Sequence, residues 1–261
     1  MQSLPVKYSA SLHEVLKSIQ NYYPLFVSNS FVCNSESCYS THSSIVKKSP
    51  PEPKDSEEEN YYANMEIYPQ LVTPEISVQV DIDRNIASLL DSSIKFPKDM
   101  PVVFCGSRFS QNAVSSELDY LLLLNLVKSG GIYDVRIDKN NALILTTLLK
   151  MFDPKTELEN EIEKEATLIV SANSLECMVK TDVDTSQLVQ LDRDRILVLP
   201  MAREERVQIM VKSHDLGLVE KAIGGGRIGI IFDTRVSKDI RPEDMKVFSS
   251  GLRAFKEVLG V

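Results

Sequence analysis

The sequence predicts an α/β chain: an α/β unit in its middle, then a small β-rich C-terminal domain closed by a terminal helix. Between residues 100 and 151, strand and helix patterns alternate, as they do where helices connect strands of one sheet. Beyond residue 166, short strand patterns follow one another with turn residues between them, as in a small barrel or sandwich. Hydrophobic residues make up 43% of the 261 residues and charged residues 25%, enough to build a sizeable core.

In residues 1–33, Leu12, Val15, Leu16 and Ile19 recur at helical spacing, Ser11 and Glu14 form a capping box, and Pro24 ends the pattern. This predicts an N-terminal helical segment. Residues 34–64 are rich in serine, proline and like charges, with five serines before residue 45 and a Pro-Pro-Glu-Pro run, and predict a flexible polar linker. The α/β unit is assigned to residues 65–155. Residues 76–82 alternate apolar and polar side chains and predict a strand, with a short helix after it from 83 to 90. Residues 100–105 are an apolar run closed by Gly106, the mark of a buried strand ending in a tight turn. Ser116 caps a leucine-rich helix that Gly130 and Gly131 stop; residues 132–138 predict the next strand and 141–151 another helix. In a parallel pair, ligand contacts gather at the strand C-terminal ends, here near Gly106 and Asp138.

The β-rich part is assigned to residues 156–261. A charged stretch, 156–165, reads as helical; strands are predicted at 167–172, 176–181, 195–199, 206–212, 218–223 and 227–232. Pro242 then opens a final helix whose apolar positions are Val247, Leu252, Phe255, Val258 and Leu259.

Twenty-nine basic and 37 acidic side chains give a net charge of -8, which disfavours nucleic-acid binding. No apolar run is long enough to cross a membrane, and the first eleven residues lack the apolar core of a signal peptide. The expected location is the cytoplasm, where four cysteines would be reduced thiols.

Several constellations invite chemical readings. Cys33, Cys38 and His42 offer three donors but no fourth, so unrelated thiols are favoured over zinc. Gly224, Gly225 and Gly226 precede a strand rather than a helix, so a tight turn is favoured over a phosphate loop. Asp233 and Arg235 share one strand face, which favours a structural ion pair. Cys105 follows a buried strand with no base in register, so it reads as structural, while the backbone amides of Gly106 and Ser107 are positioned to face a ligand. Asp192, Asp194, Glu204 and Glu205 read as solvated surface, and His214 with Asp215 as a turn.

The segment Pro101-Val-Val-Phe-Cys-Gly-Ser-Arg108, the leucine-rich helix, Ile132-Tyr-Asp-Val-Arg-Ile-Asp138, and above all Gly225-Gly-Arg-Ile-Gly-Ile-Ile-Phe-Asp-Thr-Arg235 with its Pro242 helix start resemble the C-terminal half of the GlmL/MutL proteins, accessory proteins of coenzyme-B12-dependent glutamate (methylaspartate) mutase. The resemblance covers residues 98–261. It implies part of the actin-like, sugar-kinase and Hsp70 ATPase architecture, followed by a β-rich part. It also implies a non-enzymatic accessory or interaction role, with a mutase or a separate phosphate-binding half as protein partner. The phosphate-binding D-x-G-x-T is absent, and 97 upstream residues are too few for the missing half. ATP would then reach the complex through the partner chain, with Gly106 and Ser107 as the contacts retained here. The rival reading is a nucleotide-binding protein or enzyme using Asp233 and Arg235.

Overall fold

Val102–Cys105 is buried along its whole length, as is Gly229–Asp233, so both strands must be covered on two faces. A computed structural model supplies those faces; it describes residues 12, 14–29, 31–40, 76–90, 96–109, 116–152, 162–181, 186–236, 244, 246, 247 and 250. Among them, β1 (Tyr23–Val27), β2 (Phe31–Cys33) and β3 (Cys38–Ser40) form an antiparallel meander. Helix α1 (Ile76–Leu89) precedes β4 (Val102–Cys105), α2 (Ser116–Leu126) precedes β5 (Gly131–Ile137), and α3 (Ala142–Phe152) precedes β6 (Lys164–Val170). The remaining strands are β7 (Leu175–Thr181), β8 (Ser186–Leu191), β9 (Ile196–Leu199), β10 (Arg206–Ser213), β11 (Gly217–Gly224) and β12 (Gly229–Asp233).

Eight strands make one mixed sheet in the order β3-β2-β1-β4-β5-β6-β12-β9; four make an antiparallel sheet in the order β11-β10-β7-β8. In the large sheet β1, β4 and β5 are parallel neighbours, and so are β6 and β12. β5 and β6 are antiparallel.

The alternation of side chains along these strands divides two cores. On one face, Phe104, Tyr133, Val135, Leu168 and Ile231 pack with Ile86 of α1 and Leu121 and Leu124 of α2. On the other, Ile132, Ile169, Ile230 and Phe232 pack against the small sheet through Cys177, Val179, Ile209 and Val211. Farther along this second face, Val103 packs with Leu143 of α3, beside Ile19 and Tyr22.

The structure corrects several expectations. Residues 76–82 belong to α1, not a strand. Their short window alternates, but Ile82, Asp83, Ile86, Ala87 and Leu90 are the buried positions, and steps of three and four residues define a helix face. The N-terminal segment is helical at residues 14–18, yet it continues into β1 and β2, because Tyr23, Leu25, Val27 and Val32 complete the first core. The expected linker begins too early: residues 34–40 turn back through β3, with the Asn34 Oδ1 accepting from the Glu36 and Ser37 amides, while 41–64 lie outside the described residues. Lys164 and Glu165 are strand, not helix; residues 156–161 lie outside the described residues. Residue 155 is no boundary within the sheet, since β6, β12 and β9 extend the sheet that β1, β4 and β5 begin. Of the terminal helix, residues 244, 246, 247 and 250 are described as helical, and Val247 packs on the first core.

Cysteine usage also differs from expectation. Cys33 and Cys38 are joined in a disulfide that closes the β2–β3 hairpin, so these two are not reduced thiols. Cys105 and Cys177 are free and buried.

Candidate functional site

The parallel strands β1, β4 and β5 end side by side at Val27, Cys105 and Ile137, where α/β sheets commonly hold ligands. Here the polar groups at that end close on one another. The Ser28 amide donates to the Phe31 carbonyl (2.9 Å), and the Phe31 amide donates to Ser28 Oγ (3.1 Å), which tightens the β1–β2 turn. Asp138 accepts from the Ala142 and Leu143 amides (2.9 and 2.8 Å) and so satisfies the open start of α3. The Gly106 amide donates to Asn141 Oδ1 at 2.6 Å. Of the two predicted ligand contacts, Gly106 is therefore engaged inside the protein, while Ser107 opens a 3-10 turn (Ser107–Phe109) and is exposed. Glycine is required at 106: its φ is +103°, and a Cβ there would lie 2.3 Å from the Val27 carbonyl oxygen. Burial, reinforced by the Asp138 charge, pushes the Cys105 thiol far above its ordinary range. Such burial disfavours the thiolate that a nucleophile requires.

Asp233 and Arg235 do form an ion pair, and it lies in the interior. Arg235 Nε donates to Asp233 Oδ1 (3.0 Å) and Nη2 to Asp233 Oδ2 (3.1 Å), with both side chains wholly buried. Arg235 Nη1 reaches Asp244 (3.1 Å), and Nη2 also reaches Asn125 Oδ1 of α2 (3.2 Å). One guanidinium thus ties the end of β12 to α2 and to the C-terminal segment.

Two further constellations, one buried and one part-buried, escape sequence reading. Arg108 forms a fork with Asp83 of α1 (2.8 and 2.7 Å) and reaches Asp119 of α2 (2.5 Å). Arg227 donates to Glu165 (2.8 Å from Nε) and to the Tyr120 hydroxyl (2.7 Å), and that hydroxyl donates to Glu165. Their members stand 11 to 107 residues apart, so no local spacing signals them.

Gly224, Gly225 and Gly226 link β11 to β12, strand to strand. Gly226 takes φ +71°, and the Gly225 and Arg227 amides donate to the carbonyls of Glu205 and Lys164. The turn is not the head of a helix. Asp215 sits in the β10–β11 turn and accepts from Ser171, Ser213 and the Ala172 amide. Burial pushes its carboxyl up, but these hydrogen bonds outweigh it and hold the group below its ordinary range. Asp192, Asp194 and Glu204 are exposed. The Cys33–Cys38 bond removes both thiolates from the three-donor set, and His42 lies outside the described residues. Among the described residues, no three metal-ligating side chains cluster.

An open cleft of about 510 Å³ lies between the two sheets, on the face that carries α3. Its basic lining comes from Lys98 before β4, Arg136 of β5, Lys164 of β6, Arg206 of β10 and Lys221 of β11. Asp99 and Asp134 are its acidic residues. Asp134 is shared between Arg136 (3.3 Å) and Lys164 (3.6 Å). Burial, and then the charges of Arg136 and Lys221, hold the Lys164 ammonium below the ordinary lysine range against the pull of Asp134. Five segments supply these cations, which is why the sequence shows no basic patch.

No family model, no curated protein and no solved structure matches the chain.

Proposed function

We propose that the chain is a non-enzymatic accessory or interaction protein, built on one half of the actin-like, sugar-kinase and Hsp70 ATPase architecture and acting by docking on another protein. The observation that carries this reading is the strand order β3-β2-β1-β4-β5, with α1, α2 and α3 following β3, β4 and β5. An antiparallel meander, then two strands parallel to the first with helical crossovers, is the plan of each half of that architecture. The residues before 98 thus supply the meander of this half. Fold alone does not assign an activity. The β1–β2 turn has no D-x-G-x-T, and Ser28 there is closed on Phe31. The partner expected from the resemblance is a B12-dependent mutase subunit or a separate chain carrying the phosphate-binding half.

Helix α3 supplies a surface for such contact. Leu145, Leu148 and Leu149 stand on one helical face, exposed by 54%, 37% and 49%, whereas Leu143 and Thr146 face the protein. Apolar side chains exposed as a group favour a protein surface over water. Replacing Leu145 and Leu149 together by Glu is expected to leave the circular dichroism spectrum intact, since neither side chain is buried. The test is co-purification of the tagged full chain from its native source. A mutase subunit or a D-x-G-x-T chain should accompany the wild type and be missing from the variant. Recovery of neither, or of the same proteins with both, would contradict the reading.

A further inference from the structure

We infer that the cleft between the two sheets is a binding site for a small phosphate or polyphosphate anion. The cleft carries five basic and two acidic side chains in a protein whose net charge is -8. Such a concentration of one sign against the trend of the whole molecule focuses a local positive potential. Lys98, Arg206 and Lys221 have no carboxylate within ion-pair distance among the described residues, and the single carboxylate of Asp134 serves two cations.

The backbone builds this arrangement. The β5–β6 register shifts between Val135 and Arg136, so that Arg136 pairs with Lys164. A bulge of this kind re-aims side chains, and here it leaves Arg136 and Lys164 on either side of Asp134. Arg136 is further fixed by stacking over the Tyr22 ring at 5.5 Å. The Thr167 hydroxyl donates to the Gly224 carbonyl (2.9 Å), which pins the end of β11, and with it Lys221, over β6. The Lys98 and Lys221 ammonium groups act as point charges that suit phosphate oxygens, and Arg206 offers forked donors, whereas Arg136 gives Nε to Asp134 and Nη1 to the Ile162 carbonyl. The cleft opens beside Met100 and Pro101, before β4 begins, whereas Gly106 and Ser107 lie beyond its end. The inference is thus independent of the accessory role proposed above.

The test is calorimetric titration of the purified full chain with sodium pyrophosphate at low ionic strength. Saturable binding of one anion per chain is expected, weakening as salt is added. The Arg206→Ala/Lys221→Ala double variant removes two exposed side chains and should weaken binding roughly tenfold or more, as loss of charge-assisted contacts implies. Lys180→Ala, outside the cleft, should bind as the wild type does. If the double variant does not fold, Lys98→Ala and Lys221→Gln singly should each weaken binding. Absence of binding by the wild type, or equal binding by the cleft variants, would overturn the site. Citrate binding as tightly as pyrophosphate would overturn the assignment to phosphate.

Discussion

Replacing Arg235 by Ala is expected to destabilise the protein by about 3–5 kcal/mol, the range for removing one partner of a buried ion pair. The cost comes chiefly from what remains. Asp233 would keep a wholly buried carboxylate without its fork of two donors, and Asp244 would lose its contact at 3.1 Å. Arg235→Lys should recover only part of the loss, because an ammonium cannot make the fork to Asp233 while also reaching Asn125 and Asp244. Urea unfolding followed by circular dichroism measures the effect as a lower midpoint. A folded Arg235→Ala protein of unchanged stability would instead favour the rival reading, in which Asp233 and Arg235 form a catalytic pair.

The Gly106→Ala substitution is the second large expected effect. At φ +103° an alanine is strained by about 1–3 kcal/mol, and its Cβ would meet the Val27 carbonyl oxygen at 2.3 Å. The obstacle is backbone, so no side-chain rotation relieves it. Either β1 or β4 must shift, and the two are hydrogen-bonded in register from Tyr23↔Val102 to Phe26↔Cys105. A loss of roughly 3 kcal/mol or more is expected once overpacking is added to the strain. Ser107→Ala, at an exposed position one residue on, should change stability by less than about 0.5 kcal/mol. Comparable unfolding midpoints for the two variants would contradict the role assigned to Gly106.

Most strands legible in the sequence have two faces that differ or are apolar throughout; β11, an edge strand in which Ile223 alone is buried, is marked instead by its apolar residues Leu218, Val219, Ala222 and Ile223. β10 alternates exposed and buried residues, and β4 and β12 are buried on both faces. β8 went unread because it is a polar edge strand in which Val189 alone is buried. β1 to β3 went unread because five- and three-residue strands, with Pro24 in the first, give little periodic signal. The first half of α1 reads as a strand because the β-branched run of residues 76–82 alternates, whereas residues 83–90 read correctly as helix. Asp233 and Arg235 were legible as a pair because they are two residues apart on one strand. Asp83, Arg108 and Asp119 were not, nor were Tyr120, Glu165 and Arg227, because tertiary packing alone brings them together. The basic cleft was invisible for the same reason.

The Asp233–Arg235 pair is buried in the fold, and the proposed accessory role predicts that the chain alone turns over no nucleotide. Incubating the purified full-length protein with Mg·ATP and following phosphate release tests this most directly. Release no faster than in a protein-free control is expected. Sustained release of many phosphates per chain would contradict that role.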